Sequence, residues 1–169
     1  MANDLELETL AIEPNQHGYR TFSLGKFAFS FVGSTVISEL LILISTAMLR
    51  MPVELALLHA VTMLAICFGL SGLSVGLGAM YPSFNEDNPS KIVAGFGGTL
   101  NLVLSLFFVV LIIALEAGPC HRYYALGAIS NAEFRQSLGV SMTGIFALSG
   151  LAYALPMALG RRALERAEP

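Results

Sequence analysis

The sequence predicts an all-α, polytopic membrane protein, a bundle of about four transmembrane helices, and three observations carry that expectation. Hydrophobic residues make up 55% of the 169 and charged residues only 12%, where a soluble domain is typically about a quarter charged. Mean hydropathy is +0.71. Four long apolar runs reach about the 20 residues that cross a hydrocarbon core as a helix, and none alternates like a strand. Inside lipid only helices or closed barrels satisfy the backbone, so runs of this kind are read as helices.

The elements follow in order. Residues 1–21 are polar and acidic, with Asp4, Glu6, Glu8, Glu13 and a Pro14-Asn15 break, and read as a mobile or surface-lying tail. A transmembrane domain over 22–162 follows, with spans at about 27–49, 55–80, 92–115 and 138–159, and then a short C-terminal tail, 163–169. The first linker, Arg50 to Glu54 with Pro52, forces a tight antiparallel turn. Gly118-Pro119 is expected to end the third helix. Tyr123 and Tyr124 suit an interfacial aromatic belt. Ser130 and Glu133 have capping-box spacing, so the fourth helix is expected to start before the membrane does. Pro156 is expected to kink that helix or unwind its last turn.

Small residues recur at helical spacing: Gly72 and Gly76 in the second span, Gly98 in the third, four after Ala94, and Gly150, Ala154 and Ala158 in the fourth. In lipid such faces let helices approach closely, because packing drives association there. Between the second and third spans lies a short polar hairpin, YPSFNEDNPSK. Asn88-Pro89 is a helix-start signal, with Asn capping free amides and Pro at the first helical position. Glu86 and Asp87 precede it, where the helix dipole favours negative charge. On these residues alone the bland alternative, a well-capped membrane turn, stands beside any functional one.

Other chemistry is hard to place. Gly25-Lys26 is no P-loop, since Arg20 stands five before Gly25 and Phe27 where Ser or Thr must bind magnesium. Gly95, Gly97 and Gly98 fail the dinucleotide fingerprint, because Leu100 occupies the third glycine position. Cys120-His121 lacks partners at metal spacing, and Cys67 reads as inert packing. The expectation is a protein that is not an enzyme, with no cofactor, no metal and no nucleic-acid partner.

The run LSVGLGAMYPSFNEDNPSKIVAGFGGTL resembles a block near the C-terminal end of bacterial ABC exporter permeases of the type-two superfamily. The matching positions are Gly76, Gly78, Ala79, Pro82, Phe84, Asn88, Pro89, Ile92, Gly97 and Gly98. Leu24-Gly25-Lys26-Phe27 and the closing Leu159-Gly160-Arg161-Arg162 with Leu164-Glu165 resemble flanking parts of the same family. The resemblance implies the C-terminal part of a permease in the inner (plasma) membrane, working with a nucleotide-binding ATPase subunit and with other permease helices or subunits. A split subunit, a truncated product and a shortened paralogue remain open. It further implies a coupling hairpin of Phe84, Glu86, Asp87, Asn88, Pro89 and Lys91.

Glu39 stands near the middle of the first span, where an ionised side chain costs roughly 2.5–3.5 kcal/mol. About a dozen Leu, Ile, Val and Phe residues in that span contribute together about −5 kcal/mol, so the span still inserts. Glu39 should then face the bundle, protonated or hydrogen-bonded, as a pathway residue or as a satisfied interhelical contact, with Asn101 its candidate partner. Basic residues divide six (Arg20, Lys26, Lys91, Arg161, Arg162, Arg166) against three (Arg50, Arg122, Arg135). The positive-inside rule puts the termini and the hairpin in the cytoplasm. A non-transporting scaffold or accessory subunit would share these helices. A secondary carrier would need more midplane charge and an internal repeat.

Overall fold

A computed structural model describes residues 16–81 and 95–167. Among the described residues four helices make up the fold, joined at one point by a π-helical turn: α1 (Gln16–Leu49), α2 (Val53–Met80), α3 (Phe96–Cys120), the π turn (His121–Ala125) and α4 (Asn131–Ala167). No strand occurs among the described residues. All four helices are long and apolar enough to cross a membrane, with apolar stretches at Leu24–Leu49, Val53–Met80, Phe96–Ala125 and Asn131–Gly160.

Helix α1 starts just past the Pro14-Asn15 pair, so residues 16–21, expected as tail, are helical. Residues 1–15 lie outside the described part. No proline follows Pro14 until Pro52, and adding residues to an existing helix costs far less than nucleating one. The helix closes at Arg50, whose φ of 50° is left-handed, with the Met51 N–H donating to the Thr46 carbonyl at 3.2 Å. That is the six-to-one bond of a Schellman turn, with Pro52 blocking continuation. The Pro52 carbonyl then accepts from the N–H groups of Leu55 and Ala56, at 3.1 Å each.

Helix α2 is the centre. It packs on all three others, most extensively on α4. The core lies where α2, α3 and α4 meet: Ala65, Leu73 and Leu77 from α2, Phe108 and Ile112 from α3, and Ile145 from α4. Phe107, one residue from the buried Phe108, is 61% exposed, so the pair splits between core and periphery. Helix α1 leans on α2 and reaches α4 through a ring cluster, with Phe27 and Tyr153 centroids 4.8 Å apart and Phe27 and Phe68 5.4 Å apart.

One expectation about proline is corrected, and one half of another. Gly118-Pro119 does not end the third helix. The chain remains helical through the buried Pro119 and widens into the π turn, where the Leu126 N–H donates to the His121 carbonyl at 3.1 Å. Proline removes one N–H and crowds the preceding turn; a widened turn accommodates that without stopping the helix. Nor does Pro156 unwind α4, which continues to Ala167 and so includes residues 163–167 of the expected tail. Pro156 is buried, packed against α2 at Gly76. The capping box at the start of α4 forms as its spacing predicts. The Ser130 N–H donates to Glu133 Oε2 at 2.8 Å, and the Glu133 N–H donates to Ser130 Oγ at 3.4 Å. Helix α4 accordingly begins at Asn131, seven residues before the span expected from 138.

Candidate functional site

The expected coupling hairpin, with Phe84, Glu86, Asp87, Asn88, Pro89 and Lys91, lies outside the described residues, as does the expected start of the third span at Ile92. Its two roots are described. Helix α2 ends with the Tyr81 N–H donating to the Leu77 carbonyl at 3.1 Å. The Tyr81 ring meets the Phe96 ring edge-on, with centroids 5.3 Å apart. Gly97 lies so close that a Cβ there would come within 2.8 Å of Tyr81 Cβ. The described ends on either side of that segment are thus held together by an aromatic contact. Sequence reasoning passed over Tyr81 and Phe96; an aromatic residue opening the polar segment and another five residues past its end were the available signal.

The small residues of α2 sit against α4. A Cβ at Gly72 would stand 2.5 Å from Tyr153 Cα, and one at Gly76 would stand 2.5 Å from Pro156 Cβ and 2.7 Å from the Met157 nitrogen. The α4 surface they meet is therefore Tyr153, Pro156, Met157 and also Gly160, where a Cβ would come within 2.6 Å of the Gly76 carbonyl oxygen. The expected α4 stripe does not coincide with it. Gly150 has no neighbouring atom within 4 Å of a built Cβ, and Ala154 is exposed. The reason is helical phase: Tyr153, Pro156 and Gly160 occupy one face of α4, and Ala154 lies about 100° round from Tyr153. Gly98 is half-buried near the start of α3.

Polar groups inside the bundle form two sets. In the first, Asn101 of α3 donates through Nδ2 to Ser74 Oγ of α2 at 3.3 Å, while Ser105 Oγ donates to Asn101 Oδ1 at 3.5 Å. Asn101 thus joins α3 to α2 and is not the partner of Glu39. The expectation fails because Glu39 lies on α1, which packs on α2 and not on the Asn101 face of α3.

The second set lies along α1 and its neighbours. Ser30 Oγ donates to Ser71 Oγ at 3.3 Å and sets the antiparallel register of α1 on α2. Nine residues along α1 from Ser30 is Glu39, and nine back along α2 from Ser71 is Thr62. Glu39 is half-buried, and its Oε1 accepts no hydrogen bond; neither do Thr35 Oγ1 and Thr62 Oγ1 have partners. Further along, a cleft of about 320 Å³ opens among α1, α2 and α3, lined by Ser45 and Thr46, by His59 and Thr62, and by Glu116. His59 Nδ1 stands 2.7 Å from Glu116 Oε1, yet no hydrogen bond is directed at that oxygen. Sequence reasoning put Glu116 at the start of a linker and passed over His59. An ionisable residue inside an apolar run was the signal that could have found it. Among the described residues no group of three or more His, Cys, Asp or Glu could hold a metal ion.

A multi-helix membrane domain with polar groups between its helices is the class of protein that the fold defines. The chain belongs to the family described as "Putative ATP-binding cassette", whose model matches residues 7–168. It is therefore related to ABC transport systems. That description names the cassette and not a permease. No curated protein and no solved structure matches the chain.

Proposed function

We propose that this chain is a membrane-spanning permease component, the C-terminal part, of an ATP-driven ABC-type exporter of the type-two kind, powered by a separate nucleotide-binding subunit. One combined observation supports the reading. The chain belongs to an ABC-related family over 7–168, its described residues form four helices fit to cross a membrane, and its sequence contains no P-loop. A member of an ABC system built this way supplies the helices and not the nucleotide site.

In this reading the termini and hairpin face the cytoplasm, and the hairpin receives the push of the ATPase subunit. Closure of a partner must act on something stiff. The Tyr81–Phe96 contact, 5.3 Å between centroids, ties the two hairpin roots so that displacement passes into α2 and α3 together. Phe84 offers an apolar anchor, and Glu86, Asp87 and Lys91 offer charge-assisted contacts. Asn88 and Pro89 carry the helix-start signal read from the sequence.

The test is co-purification from native membranes in mild detergent, followed by ATPase measurement with the partner restored. An ATPase subunit should accompany the parent, and Phe84→Ala and Asp87→Asn should weaken docking and stimulation without unfolding the bundle. Consistent absence of an ATPase, or full docking by both variants, favours a non-transporting scaffold or accessory subunit.

A further inference from the structure

We propose that the cleft among α1, α2 and α3 binds the ammonium group of a lipophilic primary or secondary amine, with Glu116 as counter-ion. The proposal stands apart from the transport reading and rests on this chain's geometry alone. Two nearly buried polar groups face the cleft: Thr62, 4% exposed, whose hydroxyl has no partner, and Glu116, 9% exposed, whose Oε1 is met by the imidazole of His59 at 2.7 Å but by no aligned hydrogen bond. Buried polar atoms are almost always hydrogen-bonded, so the unpartnered Thr62 hydroxyl beside a carboxyl held only by a poorly aligned, partly exposed imidazole calls for an occupant. A carboxylate accepts and never donates, and a threonine hydroxyl can also accept. An occupant with N–H donors and a positive charge would satisfy both groups at once, taking the place of His59 beside Glu116.

The rest of the wall defines the body of that ligand. Met51, Met63 and Ile66 line the cleft with apolar surface, and methionine adapts its shape to varied ligands. A volume of about 320 Å³ is at the small end of ligand sites, the size for an ammonium head and a short alkyl chain. His59 Nδ1, at 2.7 Å from Glu116 Oε1, sits where the ammonium would approach. Its side chain is 41% exposed, so it has room to swing aside, and it therefore acts as a competitor for Glu116. The same ammonium chemistry occurs in soluble alkylamines and in phosphatidylethanolamine headgroups, since the cleft reaches Met51 in the turn between α1 and α2.

The experiment is calorimetric titration of hexylammonium into the full chain in phosphatidylglycerol nanodiscs. Saturable one-to-one binding is expected, at least tenfold tighter than hexanol, which lacks charge, and than hexyltrimethylammonium, which lacks N–H donors. Glu116→Gln should weaken it at least tenfold and Thr62→Val severalfold, whereas His59→Leu should retain or tighten it. That opposite response separates a binding role from a structural one. In phosphatidylethanolamine nanodiscs, a weaker apparent affinity identifies the lipid headgroup as occupant, and an unchanged affinity identifies a free amine. Absence of saturable binding in phosphatidylglycerol, equal binding of hexanol, or binding untouched by Glu116→Gln overturns the proposal. Should Glu116→Gln lose its helical content, Thr62→Val decides alone, and an unchanged affinity in it overturns the proposal equally.

Discussion

Replacing Gly76 with Leu tests the packing that holds this bundle together. The first added carbon alone would lie 2.5 Å from Pro156 Cβ and 2.7 Å from the Met157 nitrogen. Ordinary carbon contacts begin near 3.5 Å, so α2 and α4 must separate by about 1 Å before the rest of the leucine is placed. Neighbouring atoms include backbone, which cannot rotate away. Overpacking of this kind costs typically 1–3 kcal/mol and occasionally more. Glycine-to-leucine exchange also gains helix propensity, a little under about 1 kcal/mol in water, which offsets part of that cost. Gly150→Leu is the matched control, because it carries the same propensity change with no atom within 4 Å of its Cβ.

The difference between the two variants therefore reports the α2–α4 contact itself, and we expect it to be about 1–3 kcal/mol. The assay is thermal unfolding in detergent, followed by reaction of Cys67, which is 4% exposed, with a thiol-reactive fluorophore; Cys120 is first replaced by Ser. Gly76→Leu should expose Cys67 at a lower temperature, shifted by about 2–4 °C per kcal/mol for a chain of this size. Gly150→Leu should melt at or above the parent, by no more than the propensity gain of about 1 kcal/mol. Equal melting of both variants would refute the reasoning. The α2–α4 approach would then be looser than the geometry states.

Further outcomes follow from single sites. Arg50→Gly should raise stability by roughly 1 kcal/mol, because Arg50 holds a left-handed φ of 50° that costs a non-glycine residue about 1–2 kcal/mol and glycine gives back part in unfolded entropy; the same thiol-melting assay measures it. Ser130→Ala should cost about 0.5–2 kcal/mol and increase amide exchange at the start of α4, since Ser130 and Glu133 cap that helix reciprocally. Glu39→Leu should favour insertion of α1 by roughly 2.5–3.5 kcal/mol in a glycosylation-mapping assay, since its Oε1 has no partner to lose. In a background with Cys67 and Cys120 replaced by Ser, an impermeant reagent outside intact cells should label Ser130→Cys and spare Ser83→Cys; the reverse pattern inverts the proposed topology.

Apolar length is a one-dimensional property, and the four helices were legible from it. The Ser130–Glu133 cap was equally legible, because its partners are three residues apart. What composition does not carry is helical phase relative to a neighbour. Gly72 and Gly76 could be picked as small residues at helical spacing, yet their α4 neighbours Tyr153, Pro156 and Met157 are larger than any small-residue rule selects. The same limit applies to Asn101, whose bond to Ser74 depends on which face of α3 meets α2. That the third helix continues through Pro119 was not legible for a related reason. Proline's local chemistry disfavours helix, but in a long apolar span the alternative is free backbone in lipid, which costs more.

That last comparison explains where chemistry sits in this fold. In water the exposed Phe29, Val36 and Leu43 would be the main liability, and water entering the clefts could still reach polar groups near the surface. In a membrane the balance changes. The exposed apolar side chains are solvated by lipid, and each unpartnered oxygen becomes a group that must find a donor or remain costly. Asn101 has found one in Ser105, and Ser71 accepts from Ser30. The polar atoms still without one lie largely on α1 and on the surfaces of α2 and α3 that border the cleft, with Ser149 of α4 the exception. Helix α1 has no buried residue in its apolar stretch, so it is the span least committed to the core and the one whose polar stripe can be completed from outside.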